Sequence, residues 1–224
     1  MFREITAPYH VLESWFYDRA VAPAIDEMIE ERPHLLRPFL KAMPADGRLL
    51  DVGCGGGHLA IGLARNHPAW RITGIDQSRN QVARAKKRSP ETGARLHFLA
   101  GTALALPFKN DAFDGLISVC SIKHWPDPAR GLEECLRVLR PGGPLVVMEV
   151  DPDYSRDDGR VFVARQHVPF FLKPAAMAGF RWKIAARSMP LKDAESLFTG
   201  LPASRVRAAP VPGMPLWMIS AVKQ

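Results

Sequence analysis

The chain has 224 residues, 47% hydrophobic and 24% charged, which is the composition of a folded globular protein and excludes wholesale disorder. No apolar run reaches membrane-spanning length, and Met1-Phe2-Arg3-Glu4 leads into no apolar stretch with a small-residue cleavage site, so neither a membrane span nor a secretory leader is expected. The formal charge of +7 invites an anionic partner, while three scattered cysteines without a CxxC pair (Cys54, Cys120, Cys135) argue against a disulfide framework or a metal site and fit a reducing cytoplasm.

In chain order, residues 1–44 combine Tyr9, Trp15, Phe16 and Tyr17 with helical patterns at 20–31 and from Pro33 to the Pro44-Ala45-Asp46-Gly47 stop. Arg48–Val52 reads as an apolar strand running into glycines, and His58–Asn66 as a helix. A second strand, Arg71–Ile75, precedes a helix over Ser78–Arg88 with Ser78 as its N-cap. The densest basic cluster, Arg79, Arg84, Lys86, Lys87 and Arg88, falls on this helix and reads as its solvated face, against the alternative of a nucleic-acid patch. Leu96–Leu99 and Phe113–Val119 are the third and fourth strands. A helix at 128–139, begun by Asp127-Pro128, ends at Pro141-Gly142-Gly143, and Leu145–Val150 is the fifth strand.

Strands alternating with helices at this spacing imply parallel βαβ units with helices on both faces, and strands apolar nearly throughout are buried on both faces. The rhythm breaks after Asp151. Residues 151–190 form a helical insertion with helices expected near 159–171 and 174–180, followed by a helix at 192–199 and strands at 204–209 and 215–222. Pro210-Val211-Pro212-Gly213 joins the last two as antiparallel neighbours.

The segment Leu50-Asp51-Val52-Gly53-Cys54-Gly55-Gly56-Gly57-His58 places a strand end, a tight glycine turn and a helix N-terminus together, as a nucleotide-type ligand requires. A dinucleotide fingerprint needs glycine where His58 stands. Asp51 would repel a pyrophosphate but suits a ligand bearing an ammonium and a sulfonium. Asp76, ending the second strand, can accept the hydroxyl protons of a ribose.

Together with Gly74-Ile75-Asp76, Leu104-Ala105-Leu106-Pro107-Phe108, Phe113-Asp114, Ser121 to Asp127 and Arg137-Val138-Leu139-Arg140-Pro141-Gly142-Gly143, this segment resembles the class I S-adenosylmethionine-dependent methyltransferases. It is most similar to the ubiquinone/menaquinone-biosynthesis-like small-molecule group (methyltransferase type 11). The resemblance runs through most of 48–150 and more weakly through 192–222. It implies an α/β, Rossmann-like doubly wound fold: a mainly parallel seven-stranded sheet with an antiparallel last strand, N-terminal helices and a helical insertion after strand 5. It implies one domain, with 1–44 as a helical lid, 45–150 as donor-binding core, 151–190 as cap and 191–224 completing the sheet.

The resemblance further implies that S-adenosylmethionine is held by Asp51, Gly53, Cys54, Gly55 and Gly57, with its ribose on Asp76 and its adenine beside Gln77. Thr102 and Ala103 occupy the positions that meet the base. Thr102 stands where an acid is usual, and an ionised acceptor would be roughly twice as strong as its hydroxyl. Ser118 lies near the methionine part of the donor. His124, following the fourth strand where the cleft opens, is either a general base or acceptor-orienting residue, or a structural histidine packing beside Trp125. Tyr9, Trp15 and Tyr17 form either an aromatic lid or the core of the N-terminal helices, and His167 belongs to the acceptor pocket. Phe170 and Phe171 are expected to pack inside the insertion, and Cys54 and Cys120 to be packing residues.

The expected activity is methyl transfer to a small, partly apolar acceptor on oxygen, nitrogen or carbon. No metal is implied, and a homodimer stays open. A nicotinamide oxidoreductase is opposed by Asp51 and His58. A nucleic-acid methyltransferase is opposed by Ser118-Val119-Cys120-Ser121, which lacks the Pro-Pro-aromatic segment that grips a flipped base. A non-catalytic scaffold is opposed by the intact glycine loop.

Overall fold

The computed structural model of the chain describes residues 21–166 and 168–224. Two helices, α1 (Ala22–Glu30) and α2 (Pro33–Ala42), lead into β1 (Arg48–Val52), α3 (His58–Asn66), β2 (Arg71–Asp76), α4 (Arg79–Arg88) and β3 (Leu96–Ala100). β4 (Gly115–Val119), α5 (Pro128–Val138) and β5 (Pro144–Val150) follow. After β5 come α6 (Arg156–Arg165), α7 (Lys173–Gly179), α8 (Leu191–Ser196), β6 (Ala203–Pro210) and β7 (Leu216–Lys223). The seven strands form one sheet in the order β3-β2-β1-β4-β5-β7-β6. All pairings from β3 to β5 are parallel, and β7 runs antiparallel between β5 and β6. The chain therefore reverses its winding beside β1, and the crevice at such a switch point is where open α/β sheets bind ligands.

Local chemistry accounts for the element boundaries. Ser78 accepts a hydrogen bond from the Gln81 N–H to start α4, and Asp127 accepts one from Arg130 ahead of Pro128 to start α5. β5 is buried along its whole length, as a strand covered on both faces must be. Strand alternation sends Leu49, Ile72, Ile117, Val146 and Met148 into a core beneath α1 to α4. Leu50, Val52, Ile75, Leu116, Leu145 and Val147 pack beneath α5 and α8. Trp217 of β7 is fully buried there, its indole N–H donating to the Met189 carbonyl at 2.8 Å.

The insertion departs from the expected pattern. A single helix over 159–171 does not form: α6 starts three residues earlier, at the Ser155 cap, and ends at Arg165. Pro169 is the physical reason, since it lacks an N–H and disfavours helical backbone at Val168. A short 3-10 turn, Phe170–Leu172, precedes α7, and a π-turn (Phe180–Ile184) and a second 3-10 turn (Ala185–Arg187) follow it. Phe170 and Phe171, expected in the insertion's core, are 82% and 67% exposed. Phe162 and Phe180 fill that core instead, their rings 4.7 Å apart. At β4, Phe113 lies outside the strand and makes a lone parallel bridge with Leu139.

Candidate active site

The glycine turn is built by the strands beside it. Gly53 and Cys54 donate their N–H groups to the Ile75 carbonyl at 2.7 and 3.1 Å, so the turn is fastened to the end of β2. Gly53 has φ +75, and a Cβ there would collide with Ser121 Oγ, so no larger residue fits. Gly55, at φ +52, is the opposite case: a Cβ would meet no protein atom within 4 Å and would stand in open space. Arg88, read from sequence as part of a solvated face, reaches back to the Gly56 carbonyl at 2.9 Å.

Asp51 is buried at the end of β1, and its Oδ2 has no hydrogen-bond partner. Burial, and then the charge of Asp76, push its carboxyl up to about 7. Asp76 accepts N–H groups from Gly55 (2.9 Å) and Ser78 (2.8 Å), one on each oxygen. Burial raises it, and those two hydrogen bonds pull the other way. Burial and the two carboxylates push the Cys54 thiol up, so it is no nucleophile. The third strand's end is tied in through the Gly101 N–H, which donates to the Asp76 carbonyl at 2.9 Å. Gln77 and Thr102 are exposed at the rim and Ala103 is buried beside them. The Thr102 hydroxyl accepts the Leu104 N–H at 3.2 Å, which shapes that turn.

These observations fit S-adenosylmethionine. A carboxylate oxygen that is buried without a partner is costly, and an ammonium group supplies what it lacks. The open side of Gly55 leaves room for close approach, and Asp76 keeps lone pairs for hydroxyl donors. Ser118 is also buried with an unpartnered hydroxyl. Asp51 pairs with Ile117, so alternation puts the Ser118 side chain on the other face of the sheet from Asp51.

Beyond β4, Cys120 takes a left-handed φ of +54 and turns the chain so that Ser121 faces Gly53 and accepts the Trp125 indole N–H at 3.0 Å. His124 ends the short turn Ile122–His124. Burial, then the positive charges of Lys123 and Arg187, push its imidazole down to about 3. The neighbouring Lys123 ammonium is paired with Glu149 at 2.6 Å, with both side chains buried, and Glu149 also accepts the Val150 N–H at 2.7 Å. The pair ties the His124 turn to the end of β5. It was not legible in sequence, since nothing local marks two residues 26 apart as partners. Tyr9, Trp15, Tyr17 and His167, proposed from sequence for the acceptor pocket, lie outside the described residues. A polar hollow of about 430 Å³ at the opposite strand ends, lined by Asp46, Arg48, Arg71, Asp114 and Arg140, takes no part in the site. Among the described residues, no three His, Cys, Asp or Glu side chains are grouped to hold a metal.

A seven-stranded doubly wound sheet with an acid-flanked glycine turn at its switch point defines a nucleoside-binding α/β protein. A family model described as a methyltransferase domain matches residues 50–147. Demethylmenaquinone methyltransferase of Thermus thermophilus is 33% identical over 72% of this chain and 70% of its own. The 2-methyl-6-phytyl-1,4-hydroquinone methyltransferase of Arabidopsis thaliana is 35% identical over 60% of this chain and 41% of its own. Among solved structures, a SAM-dependent methyltransferase from Aquifex aeolicus superposes with a TM-score of 0.64 at 15% identity, covering 86% of this chain and 89% of that one. The chain belongs to the class I S-adenosylmethionine-dependent methyltransferases, in their methyltransferase-domain family. It spans under half the length of the plant relatives it matches.

Proposed function

We propose that this protein binds S-adenosylmethionine and transfers its methyl group to a mid-sized, partly apolar small molecule. The observation that carries this reading is the buried, unpartnered Oδ2 of Asp51 beside a glycine turn that is open at Gly55. When bound, the donor supplies a methyl group already activated by its sulfonium. The protein's part is to hold and orient. Asp51 meets the ammonium, the Gly53–Gly57 turn makes room, Asp76 accepts the ribose hydroxyls, and Gln77, Thr102 and Ala103 border the base. Ser118 contributes through its main chain at the strand end, since its hydroxyl is on the other face.

His124, uncharged through the neutral range, acts by hydrogen bonding to orient the acceptor and is too weakly basic to deprotonate it. The insertion over 151–190 serves as the cap of the acceptor pocket, supported by Arg187, which is close enough to His124 to depress its basicity. Relatives named for methylating a phytyl hydroquinone and demethylmenaquinone put hydroquinones first among acceptors to try. Incubation with methyl-labelled donor and a panel of hydroquinones, phenols and amines tests the reading. Label transfer to an acceptor with release of S-adenosylhomocysteine is expected, and donor binding with no transfer to any of them would contradict it.

A further inference from the structure

Residues 159–192 contain seven lysines and arginines and no aspartate or glutamate, which leaves 23 basic against 23 acidic residues in the rest of the chain. The stretch from 159 to 192 thus carries a charge of +7, equal to the excess of the whole chain, while the start of the cap holds Asp151, Asp153, Asp157 and Asp158. From Phe170 to Arg187 the cap runs through consecutive helical turns. One side of this run packs inward: Ala176, Met177, Phe180, Ile184 and Ala185 join the core, with Phe180 against Tyr154 and Phe162. The other side is a line of exposed residues at helical spacing, Phe171, Ala175, Ala178, Trp182 and Ala186. Not one of them is polar. Phe170 and Leu172 extend the line at one end, at 82% and 46% exposure, and Trp182 is 76% exposed.

A solvated helix face should carry the charges. Here they flank the apolar line instead: Lys173 bonds back to the Ala164 carbonyl at 2.8 Å, and Arg181 and Arg187 are exposed beside Trp182 and Ala186. An apolar strip edged by cations is the pattern of a helix that lies in a membrane interface, with rings at the headgroup–acyl boundary and cations on anionic headgroups.

We propose that this outer face of the cap docks on the surface of an anionic lipid bilayer. Charge selects that occupant over a second copy, because two such segments brought face to face would repel. A nucleic acid would answer the charge but leave the alanine, leucine and phenylalanine side chains without a partner. The proposal stands on the cap's own surface and does not depend on methyl transfer. Docking would bring the Arg187 and His124 side of the crevice to the bilayer, where a partly apolar acceptor concentrates.

The test is flotation of the full chain with phosphatidylcholine vesicles and with phosphatidylcholine–phosphatidylglycerol vesicles at low and high salt. Capture by the anionic vesicles at low salt is expected, with a blue-shifted tryptophan emission that Trp182→Phe removes. A Phe171→Ser/Trp182→Ser double variant, and separately Arg181→Glu, should each weaken partition by about tenfold or more with an unchanged thermal midpoint. No capture by anionic vesicles, or equal capture by neutral ones, overturns the proposal. So does capture indifferent to both variants, self-association that the double variant abolishes, or retention on duplex DNA or RNA in preference to vesicles. S-adenosylmethionine titration of the same variants keeps failure here separate from failure of the donor reading.

Discussion

Asp51 concentrates the conflict between folding and binding in one side chain. Its carboxyl moves from an ordinary 3.8 to about 7 in the folded protein, first through burial and then through Asp76. Between those two pH values the folded chain holds more protons than the unfolded one, so this group makes stability fall as pH rises, with the full penalty above 7. An Asp51→Asn protein without donor is therefore expected to melt higher than the parent at pH 8, by the equivalent of roughly 1–3 kcal/mol, and equally at pH 4. Thermal unfolding at the two pH values checks this. Gly55 isolates the ligand's side of the turn: Gly55→Ala creates no clash with protein and costs about 1 kcal/mol for its left-handed backbone. It should fold but lose donor affinity by tenfold or more, measured by calorimetry. Asp51 stood out in sequence because it lies two residues before the first glycine of the turn, but its missing partner was not legible, since an orphaned oxygen exists only once the sheet has closed around it.

At the scale of elements, the paired motifs seen in the sequence prove to be parts of one brace. Arg137 on α5 donates to the Leu106 and Phe108 carbonyls and to Glu134, and Glu134 accepts the Leu106 N–H. Arg137 leads the causes that hold the Glu134 carboxyl below its usual range. Glu134 and Arg137 of α5 thus hold the Leu104–Phe108 segment and fix the chain after β3. The His124 turn has its own brace in Lys123 and Glu149, and removing one partner strands a buried charge. Glu149→Leu is expected to cost about 3–5 kcal/mol in denaturant unfolding, whereas Lys123→Met/Glu149→Leu together should restore much of it. His124→Ala should lower turnover at least tenfold with little change in donor affinity, measured by steady-state rates and calorimetry. With the imidazole pushed down to about 3, the parent enzyme should show no His124 titration step in turnover between pH 5 and 8. The strands were readable from their apolar runs, and Asp127-Pro128 marked the start of α5 correctly. The insertion was not: Phe170 and Phe171 look like core by type, and only packing reveals that Phe162 and Phe180 had already filled it.

The whole molecule sets the two carboxylates and the glycine turn at the switch point of a parallel sheet, with the His124 turn following the neighbouring strand β4. The antiparallel pairing of β6 with β7 was legible in the proline-bounded turn at 210–213, whereas the insertion of β7 between β5 and β6 is set by long-range pairing that no local signal marks. The central claim is that an ionised Asp51 answers a cationic nucleoside and not a diphosphate. Calorimetric titration with S-adenosylmethionine from pH 5.5 to 8.5, repeated with NAD, tests it most directly. Affinity for S-adenosylmethionine should climb up to about tenfold per pH unit below 7 and level off above it, with proton release on binding at the acid end, and NAD should give no heat. Tight NAD binding, or S-adenosylmethionine affinity that is flat with pH and unchanged in Asp51→Asn, would contradict the account.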